Sequence, residues 1–138
     1  MQDRPTYAEL LAAVRRFLEA DVVPRLEGPL KFHARVAANV VAIVEREMET
    51  EDEQLRAEAE RLAGLLGAAE TLAPDRSSRR DAIRRLTVDL CRRIRNGDAD
   101  TGDWRTAVLA HTRATVREKL AVANPKYLEG DDRLRARP

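Results

Sequence analysis

Cysteine is nearly missing from this 138-residue chain: Cys91 stands alone, which excludes an internal disulfide and any multi-cysteine zinc site. Histidine occurs only at positions 33 and 111. Neither belongs to the Glu-x-x-His pairs from which di-iron helical bundles are built, so no metal and no cofactor is expected. There is no Gly-x-Gly-x-x-Gly, no Walker lysine and no Gly-x-Ser-x-Gly elbow, which removes the common phosphate-cradling and nucleophile motifs. An excess of one charge is also lacking. The net charge of +1 gives no global pull toward nucleic acid or anionic lipid. The longest apolar stretch, Val36 to Val44, is broken by Asn39 and is too short to span a bilayer. The start of the chain carries no basic-then-apolar signal pattern, so the cytoplasm is the expected address.

What is present is charge and helical periodicity. Charged residues reach 36% beside 43% hydrophobic ones, and glycine and proline fall mostly between periodic segments, the composition of amphipathic helices around a core. Of the 25 basic residues only Lys31, Lys119 and Lys126 are lysines, a bias that a GC-rich bacterial genome produces. The first helix opens at a capping box, Thr6-Tyr7-Ala8-Glu9, followed by Tyr7, Leu10, Leu11, Val14, Phe17 and Leu18 at helical spacing, and ends or kinks at Pro24. The second follows Gly28-Pro29 and is apolar around most of its circumference from Leu30 to Met48. A ridge of small residues, Ala34, Ala38 and Ala42, adds to it, so it is expected to be the central helix. A third starts at Thr50-Glu51-Asp52-Glu53 and stops at Gly67. A fourth begins near Ser77-Ser78 and ends at Asn96-Gly97. A fifth runs from about Asp103 to about Asn124, before Pro125. Together these predict an all-α, compact antiparallel bundle of about five helices over residues 1–128, with a flexible tail at 129–138.

The charges are segregated. Residues 45–60 hold eight acidic side chains against Arg46 and Arg56, and residues 75–95 hold eight arginines against Asp75, Asp81 and Asp89. The arginine-rich helix could face phosphates, which makes nucleic-acid binding one alternative. Its arginines wrap the polar side without forming a stripe, however, and no aromatic lies among them for base stacking. A solvated face laced by ion pairs, or pairing with the acidic segment of the same chain or of a second copy, accounts for them better.

Other constellations are weaker. His33 and Glu47 both fall within the apolar arc of the second helix but lie nearly four turns apart, too far to share a metal. The run from Asp98 to Asp103 fails as a calcium loop because glycine stands at position 5 and Leu109 replaces the bidentate glutamate. Cys91, at the edge of an apolar face, reads as a structural thiol. One polar set is a candidate ligand or partner site. Arg35, Asn39 and Arg46 line one flank of the apolar second helix, and Lys119, Asn124 and Tyr127 near the end of the chain would complete it. Such polar groups, if buried, need partners: either an internal network or a bound anion such as a phosphate, a carboxylate or a CoA ester.

The segments Arg4 to Leu11, Phe32 to Glu47 and Lys119 to Leu128 resemble an uncharacterised bacterial all-helical family known as a domain of unknown function. The resemblance implies no established activity. It does imply genes beside aminoglycoside-phosphotransferase-like kinases and acyl-CoA dehydrogenases, hence such an enzyme as partner. The expected function is therefore a non-catalytic helical accessory or interaction module, self-associating or supporting such an enzyme, with anionic-ligand binding and nucleic-acid binding as alternatives.

Overall fold

The computed structural model describes residues 4–68 and 75–129, all of whose regular structure is helical. Helix α1 (Tyr7–Phe17) is set by the expected capping box: the Thr6 N–H donates to Glu9 Oε2 at 2.7 Å and the Glu9 N–H to Thr6 Oγ1 at 3.2 Å. A π turn (Leu18–Val22) and a 3-10 turn containing Pro24 (Val23–Arg25) then lead into α2 (Gly28–Leu66). Helices α3 (Arg76–Arg95), α4 (Gly102–Ala123) and the short α5 (125–129) follow. The fold class is the all-α one that the sequence predicts. The tail expected at 129–138 lies, from residue 130 on, outside the described residues. No described helix is long and apolar enough to cross a membrane.

The expected second and third helices are one. No glycine or proline separates Met48 from Glu51, and the Thr50 hydroxyl donates back to the Arg46 carbonyl at 2.9 Å instead of capping a new helix. The helix stops where it should, at Gly67 with φ 66°. Helix α3 starts one residue before the serines because Asp75 is its cap, accepting from the Ser78 N–H at 2.9 Å. That bond holds the Asp75 carboxyl below its ordinary range.

The chain divides into two units, Met1–Thr50 and Glu51–Pro138, and α2 contributes to both. The described core lies in the second. Leu62, Leu86, Leu90 and Val108 are buried together, with Leu65, Ile83 and Trp104 packed around them. The Trp104 indole N–H donates to the Leu65 carbonyl at 3.1 Å, and the Arg93 guanidinium sits 4.2 Å from its ring centre. The start of α3 is tied to residues 51 and 52, whereas its later residues Leu86 and Leu90 meet Leu62. So α3 runs parallel to this part of α2, not antiparallel as short connections would dictate.

The first unit departs from expectation more sharply. Its predicted role was to supply the central helix, yet among its described residues only Ala38 is buried, while Leu30, Phe32, Val36, Val40 and Val44 are 37–64% exposed.

Candidate functional site

Which side of α2 is covered follows from its contacts in the first unit. Arg15 of α1 donates from Nε to Glu45 at 2.7 Å, and this hydrogen bond raises the Arg15 pKa above its ordinary value. Glu45 and Glu49 also line, with Tyr7, Leu11 and Ala12, the cleft between α1 and α2. At 100° per residue, Ala34, Ala38 and Ala42 share that side. The ridge of small residues thus faces α1, where it permits close approach, and the large side chains face outward. Phe32, Val36, Val40, Val44 and Leu30 fan across an arc of roughly 160° on the opposite side. A second open stripe on α1 consists of Tyr7, Leu10, Val14 and Phe17, 48–57% exposed. Nine large hydrophobic side chains are therefore exposed on the two helices of a unit in which one alanine is buried among the described residues. Single exposed hydrophobics need no explanation, but contiguous faces of this kind mark interaction surfaces.

The polar set singled out from the sequence is distributed across both units. Arg35 and Asn39 are exposed beside the apolar arc of the first unit, with Arg46 half-buried on the same flank and holding a partner. Their exposure removes the expected need for internal partners, since water satisfies them. Lys119, Asn124 and Tyr127 belong to the second unit and are exposed there. Asn124 caps α4 through its N–H to the Leu120 carbonyl, and Tyr127 is 63% exposed. His33 is exposed within the apolar arc and Cys91 is half-buried.

The arginine-rich helix is largely engaged within the second unit. Arg79, buried, donates to Asp52 at 2.6 Å. Arg76 reaches Glu51 at 3.3 Å, Arg80 also pairs with Glu51, and Asp89 accepts from Arg92 at 2.8 Å. The Arg79 hydrogen bond holds the Asp52 carboxyl below its ordinary range. The two oppositely charged segments therefore meet inside one chain, and the N-terminal arginines of α3 are occupied by carboxylates.

A polar cluster not singled out from the sequence lies on α4. Arg61 donates twice to Glu118, at 2.8 and 2.6 Å, and also lines, with Gly64, Leu65, Ala107 and His111, an open cleft of about 440 Å³. His111 Nδ1, Thr115 Oγ1 and Arg61 Nε are buried and make no hydrogen bond among the described residues. Burial first, and the Arg61 charge second, depress the His111 pKa below 6.5. The unfolded chain then takes up this proton before the folded one does. Stability is accordingly expected to be full above about pH 6.5, to fall as the pH drops toward the folded pKa, and to level off below it. Melting temperatures between pH 7.5 and 5 check this, and His111→Leu should flatten that step. An unchanged step in the variant refutes the assignment.

A family model for a domain of unknown function, DUF6285, matches residues 24–127, which takes in α2, α3 and α4 and leaves out α1. No curated protein and no solved structure matches the chain. With about three quarters of its length matched, the chain belongs to the DUF6285 family.

Proposed function

We propose that the protein is a non-catalytic helical interaction module that binds other proteins through its first unit. The observation that carries this reading is the inversion there: one buried alanine against nine exposed large hydrophobics on α1 and α2. A pair of helices this poorly covered leaves apolar surface in water at about 25 cal/mol per Å², and a partner's apolar helix face would remove that penalty. The N-terminal arginines of α3, by contrast, are drawn into carboxylate pairs within the chain, which speaks against a phosphate-reading surface there. The partner class implied by the family resemblance is a phosphotransferase-like kinase or an acyl-CoA dehydrogenase, served in a bacterial cytoplasm.

The α1 stripe is the surface to test against such an enzyme. Co-expression of the chain with each enzyme should yield a complex that survives purification. Leu10→Asp with Val14→Asp should reduce recovery at least tenfold, while circular dichroism shows the helices intact. Equal recovery with the double variant sinks the reading.

A further inference from the structure

The open face of α2 has a property that its apolar character alone does not require: it is complementary to itself when reversed. His33, Val36, Val40, Ile43 and Glu47 recur at spacings of three and four, the pattern of a seam along which two helices pack at a shallow angle. Val40 is its midpoint. Position 36 mirrors 44, both valine, and position 37 mirrors 43, a small alanine against a larger isoleucine. His33 mirrors Glu47, the two polar residues that otherwise interrupt the arc.

We propose that two copies of the chain pair antiparallel along the first half of α2, about a twofold axis at Val40, so that each His33 meets Glu47 of the other copy. This rests on the reading of the first unit as an interaction surface and names one occupant of it. A twofold, isologous contact requires a self-complementary patch, and the mirror relations about Val40 supply one. Parallel pairing would instead set Glu47 against Glu47, which like-charge repulsion disfavours. The size is sufficient for a modest dimer. The five exposed hydrophobics of α2 contribute roughly 100 Å² each, hence roughly 1,000 Å² over two copies, the lower bound for a specific interface. The opposite side of α2 is taken by α1, so the open arc remains available for the second copy.

Sedimentation of the full chain over 1–100 µM tests the pairing, and charge exchange tests its register. The wild type should reach a dimer within that range. Val40→Asp should weaken it at least a hundredfold with helicity retained. His33→Glu should weaken it about tenfold or more, since it sets one carboxylate against another, and Glu47→Lys should weaken it by a smaller factor, since it removes the carboxylate that faces His33. The double variant H33E/E47K should restore it, because opposite charges then face each other at both ends of the seam. A wild type that stays monomeric at 100 µM overturns the proposal, as does a dimer indifferent to Val40→Asp, or singles not rescued in the double variant. Those failures would not touch the proposed function, whose test lies on α1: an enzyme complex formed by a monomer would place a different protein on the unit.

Discussion

Replacing Leu62 with alanine is expected to destabilise the protein by about 3–5 kcal/mol, which is the upper part of what a single core deletion costs. Leu62 is the one large side chain among the described residues with no exposure at all, and it is where α2 meets Leu86 and Leu90 of α3 and Val108 of α4. Truncation removes the transfer energy of the isobutyl group and leaves a cavity bounded by three helices, each fixed elsewhere. Asp52 and Glu51 hold the start of α3, and Leu65 holds α4 through Trp104. Collapse into the void is thereby opposed, which puts the cost above the simple transfer value. Against a total of about 5–15 kcal/mol for a domain, that is a large share. Leu109→Ala is the control. It removes the same atoms from the same unit, but its side chain is 49% exposed, so it should cost less than about 1 kcal/mol. Urea unfolding followed by circular dichroism measures both. Similar midpoints for the two variants would show that the core does not converge on Leu62.

What could be read in the sequence was local chemistry. The capping box at Thr6 and Glu9, the stop at Gly67, the end at Asn96-Gly97 and the limit that Pro125 sets on α4 all depend on a few neighbouring residues, and all stand where the residue types put them. The false start at Thr50 came from the same kind of rule. A threonine three residues before a glutamate has the spacing of a cap, but with no breaker before it the helix continues and the hydroxyl turns back to the i−4 carbonyl. Which side of a helix is covered is not a local property. Residues 30–48 are apolar nearly all round, and periodicity cannot say that the alanine ridge, not the valines, meets α1. That is settled by Arg15 reaching Glu45 thirty residues away. The same holds for the flank of Arg35 and Asn39, whose exposure depends on which side of α2 meets α1. His111, Thr115 and Glu118, at spacings of four and three on one face of α4, did leave a signal. It gained meaning only when Arg61 was found opposite them.

Glu118→Ala is expected to cost about 1–3 kcal/mol, and for a reason that surface ion pairs do not share. The Arg61 and Glu118 side chains are 28% and 26% exposed, and the contact is bidentate, with both terminal nitrogens donating to both carboxylate oxygens. Exposed pairs contribute at most about 1 kcal/mol, whereas breaking a buried pair costs about 3–5 kcal/mol because a charge is stranded. Partial burial places this pair between those limits. Arg61 Nε already lacks a partner, so removing Glu118 leaves the guanidinium worse satisfied. Removing both residues, as in Arg61→Leu with Glu118→Ala, should therefore be less damaging than Glu118→Ala alone. The same change should also be felt at His111. Glu118 raises its pKa and Arg61 lowers it, so loss of the carboxylate alone shifts the balance toward the neutral imidazole. The acid-side step in stability should move to lower pH in Glu118→Ala and return toward its original position in the double variant. Melting curves of the four chains across pH 7.5 to 5 give both the coupling energy and the shift. A step that stays in place in Glu118→Ala would separate His111 from the pair electrostatically and leave the cleft as three independent polar groups.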